Sequence, residues 1–268
     1  EIMPSLVGSE MCIRDSIRYN ENKKFHELTN IQLEKKIKAE KIHKNLRGLY
    51  WKNPHYEGSP SDEVLILKKA QKIILTDADG VLLNWEYAFT CWMEQQGYQE
   101  QPGANFQYDI AKRFNIESNN KGHKLVRQFN ESAAMGFLPA LRDSVHYVKK
   151  LHEEHGYEFH CITSMSTDSY AFKLRRMNLE KLFGTASFTK LVCLATGAPK
   201  DDALAEYKDS NYFWIEDKLE NAEAGLKQGL RPILVEHGHN MNEDLNDSIH
   251  KVVNWKEIYS YITGEKDE

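Results

Sequence analysis

The sequence predicts a three-layer α/β fold, a parallel β-sheet with helices on both faces. Two observations point there. From residue 72 onward, short apolar runs alternate with amphipathic stretches, the pattern of strands joined by helical crossovers. The ends of those runs carry Asp, Thr, Ser and Glu, and the carboxyl edge of such a sheet is where ligands bind.

The elements follow in order. KIILT at 72–76 is a β-rich apolar run of the kind buried in a parallel sheet. A helix is expected over 86–96, and residues 97–140 are polar and irregular, with several aromatics and helical patches. An amphipathic helix over 143–155 places Val145, Val148 and Leu151 on one face. EFHCIT at 158–163 reads as the second strand, followed by a helix over 169–177 and a strand within 187–194. A short helix over 201–207, a strand over 212–215, a helix over 221–228 and a last strand over 231–235 complete the pattern. Too much chain separates the first strand from the 143–155 helix for a plain crossover, so an insertion over the carboxyl edge of the sheet is expected there.

Length and composition set the outer bounds. The 268 residues suffice for one large domain, or one domain with extra pieces. Hydrophobic residues make up 41%, ordinary for a globular protein. No stretch approaches the roughly 20 apolar residues of a membrane helix, and no secretory signal is visible. Cys12, Cys91, Cys161 and Cys193 are scattered without a CxxC pair. They read as reduced, mostly buried thiols of a cytoplasmic protein, not as a zinc site or disulfide framework.

The N-terminal quarter differs from the rest. Residues 17–72 hold 13 Lys/Arg against 7 Asp/Glu, whereas residues 73–268 hold 21 against 30. Apolar residues at Leu28, Ile31, Ile37 and Ile42 approximate a helical period, and the Gly, Pro, Asn and Ser of 48–63 read as a loop. Residues 17–70 are thus expected to form a basic helical extension. It can lie on the acidic body or touch nucleic acid; sparse aromatics favour the former. The chain opens on Glu1, and EIMPSLVGSEMCIRDS resembles translated adaptor sequence, so residues 1–16 read as an artefact or as a disordered N-terminus.

Four motifs carry chemistry. In TDADG, Asp77 and Asp79 follow the first strand two residues apart, so extended backbone turns both toward one site. One carboxylate can attack phosphorus and the other can move protons; the alternative is plain turn chemistry. Thr163 and Ser164 end the second strand, where hydroxyls and free N–H groups can hold a phosphate oxygen. Lys200 precedes a helix start and can neutralise a phosphate, with Lys190 as the rival candidate. Glu216 and Asp217 end another strand, and adjacent acids beside further carboxylates suit a hard cation such as Mg2+. The alternative there is an ordinary helix start with Asp217 near the N-cap.

In that order, DxDG, a strand ending in Thr or Ser, a Lys and an acidic pair resemble the haloacid dehalogenase (HAD) superfamily over residues 72–236. The resemblance implies a Rossmann-like, HAD-like core over 71–84 and 141–264, with a small, mostly helical cap over 85–140 inserted after the first strand. It implies an aspartyl-phosphate phosphatase with Asp77 as nucleophile and Asp79 as general acid and base. Thr163 would bind the phosphoryl group with Ser164, and Lys200 would steady it. Asp77, the Asp79 carbonyl and Asp217 would hold Mg2+, with Glu216 assisting through water. The Lys200-to-Asp217 interval is short for this superfamily. DADGVLLNWEYAF, and GFLPALRDSVHYVKKLHE leading into CITS, are similar to the 5′(3′)-deoxyribonucleotidases, which implies a small phosphate ester such as a (deoxy)nucleotide as substrate. Trp85, Phe89, Trp92, Phe106, Tyr108 and Phe137 lie in or beside the insertion, as cap core or as a platform for a base. The alternatives are a polynucleotide end-phosphatase using the basic arm and a non-catalytic binding protein on the same fold. A dehalogenase needs neither an acid at Asp79 nor a metal.

Overall fold

A computed structural model describes residues 72–265. The expected N-terminal extension, residues 1–16 and Cys12 lie outside the described residues. Six parallel strands form one sheet in the order β3-β2-β1-β4-β5-β6. They are β1 (Lys72–Thr76), β2 (Tyr157–Ser164), β3 (Phe188–Leu194), β4 (Phe213–Glu216), β5 (Arg231–Val235) and β6 (His250–Val252). The expected three-layer α/β class is what the chain adopts, with the helical insertion after the first strand. Chain order reverses between β1 and β4, and a crevice opens at such a point beyond the carboxyl ends of the strands.

The central strands are apolar because both faces are covered. Ile74, Leu75, Phe159, Ile162, Trp214, Ile215, Ile233 and Leu234 are almost wholly buried. Helix α4 (Ser144–Glu153) buries Tyr147, Val148 and Leu151, whereas Val145 of the expected face is only partly covered. Helix α5 (Ser169–Phe183) runs a turn and a half beyond its expected end, to Gly184 at φ 94°. Besides a 3-10 turn at Gly238–Asn240, two elements lie beyond the strand expected to be last. One is β6, which pairs with β5, and the other is α8 (Trp255–Thr263). Trp255 of α8 donates from its indole to the Val81 carbonyl at 2.8 Å, bracing the turn after β1. Of the three described cysteines, Cys161 is buried and Cys91 and Cys193 are partly covered, and all are free.

Between β1 and α4 the chain forms helices α1 (Trp85–Gln95), α2 (Ile110–Arg113) and α3 (Asn119–Asn130), with 3-10 turns at Ala104–Phe106 and Ala133–Gly136. It leaves and re-enters the core at one neck. There the Asn84 amide donates to the Pro139 carbonyl at 2.8 Å, and the Leu141 amide donates to the Leu82 carbonyl at 2.8 Å. Trp85 stacks on Phe89 with centroids 4.6 Å apart, and Phe129 and Phe114 meet Phe89 edge-on. Together with Trp92 they form an aromatic cluster continuous with the core of the sheet, while Phe106, Tyr108 and Phe137 are exposed. Of the aromatic set named from the sequence, Phe89 and Trp92 are packing, Phe106 and Phe137 are surface, and Trp85 and Tyr108 line a cleft at the sheet edge.

Candidate active site

The site is built where β1, β2 and β4 end. The Asp77 amide donates to the Ile215 carbonyl at 2.9 Å, so the backbone is still tied to the sheet when it delivers this side chain. Asp77 Oδ2 lies 2.7 Å from Lys200 Nζ, and Oδ1 accepts from the Ala78 amide at 2.6 Å. Lys200 sits at the N-cap of the short helix α6 (Asp201–Ala205) and is buried. Its ammonium reaches Glu216 Oε1 at 2.6 Å and lies 5.2 Å from the Trp214 ring centroid. Lys190, the rival, pairs instead with Glu206 at 2.5 Å.

Glu216 is fully engaged. Besides the lysine, Oε1 accepts from Asn221 Nδ2 at 2.7 Å, and Oε2 accepts from the amides of Asp217 and Lys218 at 2.7 and 2.8 Å. Helix α7 (Leu219–Lys227) begins directly afterwards with Lys218, not Asp217, at its N-cap. The Asp217 carboxylate is therefore left for the site. Its backbone is pinned by Asn240 Nδ2, which donates to the Asp217 carbonyl at 2.7 Å. Asp77, Glu216 and Asp217 each place a carboxylate oxygen within 4.8 Å of the others. Three carboxylates against one ammonium leave two uncompensated negative charges, which suits a divalent cation held by oxygen.

The electrostatics point the same way. Burial pushes the Asp77 carboxyl up to about 6, with Lys200 opposing and Glu216 and Asp79 adding to the rise. Burial, then Glu216 and Asp77, holds Asp217 well above the usual carboxylate range. For Glu216, burial raises the pKa, but Lys200 and the amides outweigh it and the net direction is down.

Gly80 makes the turn possible. Its φ is +75°, and a β-carbon there would lie 2.2 Å from Asp217 Oδ2. Thr163 is buried and its hydroxyl has no hydrogen-bond partner, whereas Ser164 Oγ donates to the Ala198 carbonyl at 2.9 Å. Thr163 nonetheless lines the cleft. Asp77, Asp79, Thr163, Ser164, Lys200 and Asp217 all line one cleft of about 770 Å3 between the sheet edge and the insert.

Asp79 is placed differently from the other acids. Its carboxylate faces Arg175 of α5, with Oδ1 2.7 Å from one guanidinium nitrogen and Oδ2 accepting from the other at 2.8 Å. Sequence reasoning passed over Arg175, which in KLRRM looks no different from its exposed neighbour Arg176. It also passed over the supports Asn221, His237 and Asn240. His237 shares a hydrogen bond of 2.7 Å with the Gly80 carbonyl, and burial depresses its pKa.

The chain matches no known family profile. An uncharacterised 32.4 kDa protein from the Gp30-rIII intergenic region of Enterobacteria phage T4 is 22% identical over 200 residues, spanning 72% of this chain and 70% of that one. A haloacid dehalogenase-like family hydrolase from Streptococcus pneumoniae superposes with a TM-score of 0.50 at 13% identity, over 72% of this chain and 99% of that one. A predicted phosphatase from Clostridium acetobutylicum superposes with a TM-score of 0.49 at 16% identity, over 73% and 99%. The fold is haloacid dehalogenase-like, and an acidic cluster of metal-binding composition sits at its switch point.

Proposed function

We propose that the protein is a Mg2+-dependent phosphomonoester hydrolase working through an aspartyl-phosphate on Asp77. The observation that carries this reading is the grouping of Asp77, Lys200, Asp217 and the unpartnered Thr163 hydroxyl around one cleft. Asp77 attacks phosphorus as the bond to the ester oxygen breaks, and Asp79 supplies the proton that this oxygen takes. Water then attacks the aspartyl-phosphate and gives its proton to Asp79, releasing phosphate and restoring Asp77. Lys200 and the Thr163 hydroxyl hold phosphoryl oxygens in line. Asp77 and Asp217 would hold Mg2+ with the Asp79 carbonyl, and Glu216 would orient Lys200 and the β4 turn. The ion would neutralise charge on the transferring phosphoryl group. Residues 85–140 act as the cap that excludes water.

The cleft volume lies within the roughly 300–1,000 Å3 range of small-ligand sites, which fits a small ester such as a (deoxy)nucleotide. A panel of phosphate esters, with Mg2+ and with EDTA, tests the reading. Hydrolysis should require Mg2+, and Asp77→Asn should lose at least about 1,000-fold in kcat. Parental activity in that variant would remove the nucleophile assignment. Turnover by neither protein on any ester would favour a binding role.

A further inference from the structure

We propose that Arg175 is the positioning residue for proton transfer, aiming the Asp79 carboxylate and compensating the charge that develops on it. The inference rests on the phosphatase reading above. Arg175 comes from α5, outside the four motifs, and its side chain is wholly buried. Its fork faces both oxygens of Asp79 at 2.7 and 2.8 Å, and its Nε meets only the Met165 sulfur, at 3.4 Å. Asp79 is therefore the one carboxylate this buried cation faces among the contacts of the described residues. A buried guanidinium is costly to desolvate, and replacing a whole buried ion pair by apolar residues is often neutral or stabilising, although removing one partner alone is not. Its presence here calls for a role beyond stability.

The arrangement divides four carboxylates into two sets. Lys200 serves Asp77 and Glu216, beside Asp217, and Arg175 serves Asp79 alone. Asp79 is thereby paired with a cation other than Lys200 while still lining the cleft. When Asp79 gives its proton to the leaving oxygen, negative charge appears where the guanidinium waits, with no reorganisation required. When water attacks the aspartyl-phosphate, Asp79 takes a proton from it and the charge is discharged. Arg175 thus matches the form Asp79 has between the two half-reactions, and it touches neither substrate nor phosphorus.

The test compares the parent, Arg175→Met, Asp79→Asn and the double variant on two esters. One is p-nitrophenyl phosphate, whose leaving group needs little protonation; the other is glycerol phosphate, whose alkoxide needs it fully. Circular dichroism melting confirms that each protein is folded at the assay temperature. Arg175→Met should lose about 100-fold in kcat on glycerol phosphate, within the range of general acid–base effects. It should lose far less on p-nitrophenyl phosphate, with KM little changed, and add no further loss in the Asp79→Asn background. Equal losses on both esters, additive losses in the double variant, or no loss at all would overturn the proposal. Asp77→Asn is run alongside. If it keeps parental activity, the phosphatase reading has failed; if it is inactive and Arg175→Met fails the comparison, only the role of Arg175 has.

Discussion

Thr163 and Ser164 stand side by side at the end of β2 with the same functional group, and the fold uses them differently. Ser164 spends its hydroxyl on the Ala198 carbonyl and so ties down the loop that delivers Lys200. Thr163 has no partner for its own. Replacing an unsatisfied buried hydroxyl by a methyl of the same shape removes a desolvation cost, so Thr163→Val should leave stability within about 1 kcal/mol of the parent or raise it. Its kcat/KM should fall by about tenfold, the worth of one hydrogen bond to a phosphoryl oxygen. Ser164→Ala should instead cost about 1 kcal/mol of stability. Urea melts and ester kinetics on both variants separate the two roles, and a larger stability loss at 163 than at 164 would contradict them. The strand end was legible in the sequence, because an apolar run stops there at two hydroxyl residues. Which of two adjacent hydroxyls is free was not, because that depends on where residue 198 folds back.

At the scale of elements, the sheet was the most legible part and its far edge the least. The strands over 72–76 and 231–235 announce themselves through uninterrupted apolar runs, whereas β6 is three residues, His250–Val252, whose pairing with β5 is set by tertiary placement. Helix α8 did carry a local signal. Asn254 accepts from the Glu257 amide at 2.9 Å, and the Glu257 carboxylate reaches back to the Val253 amide at 2.8 Å, a variation on the capping box. The turn between β1 and α1 shows how one backbone position fixes the site. Gly80 is needed both for its φ of +75° and because Asp217 occupies the space a side chain would fill. Gly80→Ala should therefore destabilise the protein by more than about 1 kcal/mol and shift the Asp217 carboxylate. Isothermal titration with Mg2+ should then show weakened binding in a variant that is still folded. Unchanged affinity would mean that Asp217 is not a ligand.

Across the whole molecule, a buried acidic cluster couples stability to pH and to metal. Asp77, raised to about 6, and Asp217, raised well above its ordinary value, bind protons more tightly folded than unfolded. Their contribution is fully present below the unfolded carboxylate range of about 4 and is lost as pH rises through their folded values. Glu216 has the opposite sign, but its depressed pKa matters only as pH falls below its ordinary value. His160 and His237, both lowered chiefly by burial, add stability as pH rises toward 6.5 and partly mask the acids. The sum is thus a poor readout, and the difference made by Mg2+ is a good one. A cation bound by Asp77 and Asp217 competes with the protons they hold. Stabilisation by Mg2+ should therefore be small at pH 5 and grow to about 2.7 kcal/mol at pH 7.5 when the ion is present at a hundred times its dissociation constant. Thermal melts at both pH values, with and without the ion, measure it, and Asp217→Asn should abolish the increment. An equal Mg2+ effect at the two pH values would show that the ion binds elsewhere, and the charge deficit of the cluster would need another partner.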